Sequence, residues 1–295
     1  MAYANPDALV SAQWLAEHLG EPGLVVVDAT WFPAAAPRDA AVEYEIAHIP
    51  GAVYFDIDEI ADSGTDLPHM LPNAETFASE AGALGIGDDD RAVVYDANGG
   101  FMAAARVWWM FRVFGHERVA MLDGGFTKWR KEIGTVEKDA VRPKAKTFTV
   151  RTPDGKANAR LFRLFDQVHA NLDAGAELVV DARNAKRFAG DAPEPWPVDR
   201  LGHIPDSVNL PFSDLMDPMN DYVMRSAEEI TEAVEAAGLN SDRPIVATCG
   251  SGVTAAILAL GLHLIGREDV AVYDGSWAEW GRRDDAPAET GATST

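Results

Sequence analysis

Cysteine is almost missing from this chain: 295 residues contain one, Cys249. That excludes an internal disulfide and any cysteine-built metal site, and it fits a reducing compartment. Basic residues are scarce as well. Twenty-five Lys and Arg stand against 47 Asp and Glu, a formal charge of −22, which repels nucleic-acid phosphates and anionic lipid at long range. Neither nucleic acid nor a membrane is an expected partner. Long apolar runs are lacking too, none approaching the ~20 residues of a bilayer span. Met1 to Val10 carries neither a secretory nor an organelle address pattern, so the expected location is cytoplasmic. Against so acidic a background, an arginine beside a site for a small anion gains weight.

What is present is a globular composition, 47% apolar and 24% charged, in a length that suits two domains. A repeat runs through it. Leu24-Val-Val-Val-Asp28, His48-Ile-Pro50, Ala92-Val-Val-Tyr-Asp96, Leu122-Asp-Gly-Gly125 and Trp129 recur in order as Glu177-Leu-Val-Val-Asp181, His203-Ile-Pro205, Pro244-Ile-Val-Ala-Thr248, Tyr273-Asp-Gly-Ser276 and Trp280. The offset stays near about 150 residues, too long for a solenoid and too regular for chance. The sequence therefore predicts a duplicated domain.

Short β-branched runs in each half (Leu24–Val27, Ala92–Tyr95, Val119–Leu122; Leu178–Val180, Ile245–Ala247, Val270–Tyr273) read as buried strands. Helical patterns lie between them, at Ala74–Leu84, Ala104–Phe114, Ala227–Ala237 and Thr254–Ile265, several closed by a glycine. Strands alternating with helices imply an α/β fold, a parallel sheet with helices on both faces of each domain. The expected organisation is an N-terminal domain over 1–140, a Lys/Pro/Thr/Gly-rich linker over 141–160, a C-terminal domain over 161–284 and a loose polar tail over 285–295.

In Ile245-Val-Ala-Thr-Cys249-Gly-Ser-Gly-Val-Thr-Ala255 a buried strand leads through a glycine loop into an apolar helix. The cysteine thus falls at the carboxyl end of a parallel strand, where open α/β sheets bind ligands. Two glycines let successive N–H groups converge on the sulfur, and the helix start adds its positive dipole end. Such surroundings favour thiolate over thiol. The plainer alternative is a small buried hydrophobe. The first half offers a control: at the matching place stands Ala97, or Asp96 if the register slips by one. One copy has the nucleophile and the other lacks it.

Counting residues separates the thiol chemistries. A cysteine phosphatase needs an Arg six positions after the Cys to grip phosphate, and that position is Ala255. A dithiol oxidoreductase needs a second Cys. A thiol hydrolase would work through an acyl-enzyme, and no motif for it is present.

The loop Cys249-Gly-Ser-Gly-Val-Thr254, the turn His48-Ile-Pro-Gly51, the run Leu67-Pro-His-Met-Leu-Pro72, Arg106-Val-Trp-Trp-Met110 and Tyr273-Asp-Gly-Ser-Trp277 together resemble the tandem-domain rhodanese family, in its 3-mercaptopyruvate sulfurtransferase branch. Thiosulfate-specific members carry basic residues directly after the Cys, where this chain has Gly250 and Ser251. The resemblance implies two rhodanese-like domains of which the second is catalytic. It implies a two-step transfer in which Cys249 takes sulfur from 3-mercaptopyruvate, releases pyruvate and hands the persulfide to a thiol acceptor such as thioredoxin, or to cyanide. No metal or organic cofactor is implied. Thiosulfate as donor, and a non-catalytic persulfide carrier, are the alternatives.

By motif match the resemblance assigns catalysis to Cys249, Ser251, His48 and Asp39. For His48 the competing reading is a structural hydrogen bond at the turn before Pro50, the role assigned to its counterpart His203. Substrate binding falls to Arg187, whose planar fork suits a carboxylate, to Arg200, and to the loop residues Gly250, Gly252, Val253 and Thr254. Arg183 is expected to pair with an acidic neighbour. One departure matters: relatives place a second Arg after Glu-Pro, and here Glu194-Pro195 is followed by Trp196. Either Arg200 reaches the carboxylate instead, or Trp196 reshapes the pocket.

Overall fold

A computed structural model describes residues 1–99 and 102–291. The first half forms a five-stranded parallel sheet from β1 (Leu9–Val10), β2 (Leu24–Asp28), β3 (Val53–Tyr54), β4 (Arg91–Tyr95) and β5 (Val119–Leu122), in the order β1-β5-β4-β2-β3. The second half repeats it with β6 (Phe162–Arg163), β7 (Leu178–Asp181), β8 (Val208–Asn209), β11 (Ile245–Thr248) and β12 (Val270–Tyr273), in the order β6-β12-β11-β7-β8. Between β8 and β11 lies a small antiparallel hairpin, β9 (Met216–Asp217) with β10 (Val223–Met224). The central strands are those the β-branched runs predict. β2 and β7 each run one residue further, to an aspartate that pairs across the ladder, Asp28 with Tyr95 and Asp181 with Thr248.

Helices cover both faces. The first half carries α1 (Ala12–His18), α2 (Ala40–Ile46), α3 (Ala74–Ala83), α4 (Met102–Val113) and α5 (Gly125–Glu132); the second carries α6 (Phe165–Ala174), α7 (Ala185–Ala189), α8 (Ala227–Ala236), α9 (Ala255–Leu264) and α10 (Ser276–Trp280). Their starts are set locally: Asn73 caps α3 through Thr76 N–H, and Ser226 with Glu229 forms a capping box on α8. α4 and α9 are buried almost all round, which a helix tolerates only in a core. They pack on each other, so the two halves share one hydrophobic core that includes Trp108, Phe111, Leu258 and Leu262.

Two segments differ from the sequence-based expectation. The stretch 141–160 has no strand or helix, yet it is tied down: Lys146 N–H donates to Gly82, Arg151 N–H to Phe114 and Asn158 N–H to Val113, and Phe148 is buried. The residues expected to form a loose tail are docked as far as Gly291. Ala286 is buried, Glu289 and His203 exchange backbone hydrogen bonds, and Gly291 N–H donates to Ala189. Small apolar residues gave that segment a way to dock that its polarity hid. Residues 292–295 lie outside the described residues.

Candidate active site

Cys249 directly follows β11. Its N–H donates to Ser276 Oγ at 3.1 Å, while its carbonyl and that of Gly250 accept the N–H groups of Trp277 (3.1 Å) and Ala278 (2.8 Å) at the start of α10. With the carbonyls turned away, the N–H groups of Gly250, Ser251, Gly252, Val253 and Thr254 find no acceptor among the described residues. Five successive donors at the entrance to α9 are thus available as a cradle for a bound anion.

The cysteine is 1% exposed and borders a cavity of about 180 Å³, lined from its own half by Arg187, Pro195, Trp196, Gly250, Ser251, Val253 and Thr254. The other half supplies Trp31, Pro33 and Met102. Gly252 does not line it. Its φ of +74° makes the turn, and a Cβ there would lie 2.6 Å from the Asp274 carbonyl and 3.0 Å from Arg106 Nη1. A larger cleft, about 450 Å³, opens at the matching place in the first half beside Asp28, Thr30, Tyr44 and Ala97. The strand register sets Asp96 opposite the position of Cys249, since Tyr95 and Thr248 occupy equivalent ladder sites. Without a nucleophile, the larger cleft is not where sulfur chemistry can occur.

Arg187 reaches the cavity from α7, whose start is fixed by Asn184. Its guanidinium is held by Glu194, with Nε at 3.1 Å from Oε1 and Nη2 on Oε2. Glu194 also accepts from Arg183 (2.8 Å), which pairs with Asp181 (2.6 Å) as expected. The four charges sum to zero. Gly250 makes room for this arrangement, because a Cβ there would sit 2.6 Å from Arg187 Nη2.

The first half also brings a histidine that sequence reading did not assign. His69, buried and at φ +59°, meets Trp31 edge-on at 4.9 Å and Trp196 edge-on at 5.4 Å, the two indoles that wall the cavity. Its Nδ1 lies 3.0 Å from Asp58 Oδ1, and Asp58 Oδ2 accepts Trp31 Nε1–H at 2.8 Å. Burial would raise the Asp58 pKa, but the bonds from His69 and Trp31 prevail and hold it below the usual carboxylate range. Apart from that 3.0 Å approach of Nδ1 to Asp58, both ring nitrogens are buried without a hydrogen-bond partner among the described residues. Ser251 borders the same cavity, 6% exposed.

Three assigned residues are elsewhere. His48 lies under a turn, with Nδ1 2.7 Å from the Tyr44 carbonyl, its ring stacked on Tyr44 and its backbone paired with Glu137. His203 does the same with Phe188 and Glu289, contacts that suit the structural reading of the pair. Asp39 is an exposed residue capping α2 through Val42 N–H. Arg200 spends its guanidinium on the carbonyls of Trp280, Arg283 and Ala286. None of the three lines the cysteine cavity.

The rhodanese-like domain family model matches residues 11–132 and again 164–283. The chain belongs to the rhodanese family. Human 3-mercaptopyruvate sulfurtransferase is 42% identical over 279 residues, 92% of this chain and 91% of that one. Bovine thiosulfate sulfurtransferase is 43% identical over 289 residues, 96% and 94% of the two chains. Among solved rhodanese structures, SseA from Escherichia coli, described with the 3-mercaptopyruvate sulfotransferases, superposes with a TM-score of 0.82 at 35% identity, covering 92% of this chain and 98% of that one. Identity is level between relatives named for two different donors. The donor must therefore be argued from the pocket.

Proposed function

We propose that this chain is a 3-mercaptopyruvate sulfurtransferase whose sulfur carrier is Cys249. The observation that carries the reading is the cysteine at a strand end, followed by five N–H donors without an acceptor among the described residues, in a cavity completed by the other half of the molecule. The Cys249 thiolate attacks the donor sulfur, and the C–S bond breaks with its electron pair passing to carbon. The carbon takes the proton given up by the donor thiol, so that pyruvate leaves and Cys249 keeps a persulfide anion. A thiol then removes the outer sulfur and returns the thiolate.

In this reading the N–H cradle supports the persulfide charge, and Arg187 exchanges part of its Glu194 pairing for the donor carboxylate. Val253 and Thr254 complete the wall. Ser251, which borders the cavity, and His69, which packs beside Asp58 against the two indoles that line it, are assigned the proton transfer from donor sulfur to carbon. The histidine and aspartate roles thus fall on His69 and Asp58 in place of His48 and Asp39.

Three features favour 3-mercaptopyruvate over thiosulfate. The residues after Cys249 are neutral, the one cavity-lining arginine is already matched by Glu194, and Trp31 and Trp196 present near-parallel rings (24°) at 6.2 Å. A flat, singly charged 3-mercaptopyruvate suits such a wall better than a compact thiosulfate dianion. For the acceptor, thioredoxin or a small thiol suits a reducing cytosol, the compartment proposed for this chain.

The test is a paired donor assay with intact mass measurement. Wild type should release pyruvate from 3-mercaptopyruvate and gain one sulfur on Cys249, with a kcat/KM above that for thiosulfate. Cys249→Ser should lose both, and retained turnover in that variant would sink the reading. No sulfur gain without a partner protein would instead indicate a carrier.

A further inference from the structure

The two halves cross over one another at two matching junctions. At one, Leu71 N–H of the first half donates to Asp274 Oδ2 at 2.7 Å, in the turn after β12. At the other, Met224 N–H of the second half donates to Asp123 Oδ1 at 2.9 Å, in the turn after β5. Two residues upstream of each donor, His69 and Tyr222 share a left-handed backbone, at φ 59° and 57°. The junctions are thus copies of one device.

They differ in what answers the aspartate. At the Cys249 junction the aspartate is answered by Arg106 of α4, fully buried, whose Nη2 lies 2.7 Å from Asp274 Oδ1. The same guanidinium donates to the His69 carbonyl and, at 3.4 Å, to the Gly252 carbonyl of the cysteine loop. At the other junction α9, the counterpart of α4, carries no arginine, and burial pushes Asp123 up to about 6. A crossover of this kind is therefore built without the arginine, and the arginine occurs where chemistry is assigned.

We infer that Arg106 is a positioning residue: paired with Asp274, it sets the backbone of His69 in register with the Cys249 loop across the domain boundary. This rests on the proposed sulfur transfer, because it concerns how His69 and Cys249 meet. Arg106 touches neither the cavity nor the sulfur. It acts through the two carbonyls it holds, and Ser276, two residues beyond Asp274, continues the linkage to Cys249 N–H.

Since one buried charge left alone destabilises a fold strongly, the deciding variant removes both. Arg106→Met with Asp274→Asn keeps an acceptor for Leu71 N–H and removes both charges, so that neither is left unpaired. It should melt near the wild-type temperature, yet form the Cys249 persulfide about 10- to 100-fold more slowly in single turnover, with KM changed little. The limb of the kcat/KM pH profile that reports His69 should shift, and Arg106→Lys should recover part of the rate. A folded double variant with wild-type kcat/KM and pH profile overturns the inference. Cys249→Ser run beside it separates the two failures: if that variant keeps its turnover, the sulfur-transfer reading falls first.

Discussion

The cavity's arginine is paired with a glutamate, and two indoles, Trp31 and Trp196, form part of the remaining wall. Arg187→Ala should raise KM for 3-mercaptopyruvate about 10- to 150-fold, the equivalent of roughly 1.5–3 kcal/mol for a charge-assisted bidentate contact; steady-state kinetics check it, and an unchanged KM removes Arg187 from the binding site. Trp196→Arg adds a cation and deletes half of the stacked wall, so the ratio of thiosulfate to 3-mercaptopyruvate kcat/KM should rise. The two histidines divide cleanly. His69→Asn should lower kcat by about 10²- to 10⁴-fold, the usual range for a lost acid–base group, whereas His48→Gln should shift the melting temperature and leave kcat in place. Reversal of that pattern would restore His48 to the site.

At the scale of elements, Asp96 directly follows β4 as Cys249 directly follows β11, and the chemistry at that position has changed. Asp96 is 2% exposed and accepts N–H bonds from Asn98 and Ala104, but burial outweighs them and pushes its pKa up to about 6. A carboxyl whose folded pKa exceeds its unfolded value of about 3.9 stabilises the fold below that value and loses the contribution as pH rises toward 6. Two units correspond to roughly 3 kcal/mol. Asp96→Asn cannot ionise, so its melting temperature relative to wild type should climb between about pH 4 and pH 6.5, and a constant difference across that range would refute the assignment.

The same scale shows what could be read in advance. β2, β4, β5, β7, β11 and β12 were legible because β-branched runs buried on both faces leave little else to be. β1, β3, β6 and β8, two residues each, carry no pattern of their own and exist because a neighbouring strand edge recruits them. The Cys249 loop was legible from strand, glycines and helix start. His69 was not, because its importance comes from a crossover that no local spacing encodes; the available hint was a histidine in the tight run Pro68-His-Met-Leu-Pro72. The N-cap role of Asp39 was legible, since an aspartate directly before Ala40-Ala-Val-Glu43 is an N-cap signal. Arg200 follows Glu194 closely in sequence, but its guanidinium is taken by the carbonyls around Ala286.

On the scale of the whole molecule, the α4–α9 core is shared by the two halves, and each half adds a smaller apolar cluster of its own. Calorimetry should give one cooperative transition with equal calorimetric and van't Hoff enthalpies, and two resolved transitions would show that the halves melt independently. Two copies of one fold also met here without being two identical subunits. In a symmetric dimer every substitution appears twice, so a nucleophile gained by one protomer is gained by both, and a wall residue added for one site also crowds the other. Joining the copies in a single chain lifts that constraint. Asp96 could diverge from Cys249, Tyr222 from His69, and the α9 helix from the one that bears Arg106, each without a mirror-image penalty. What the covalent link adds is therefore freedom from symmetry, and the single site is its result.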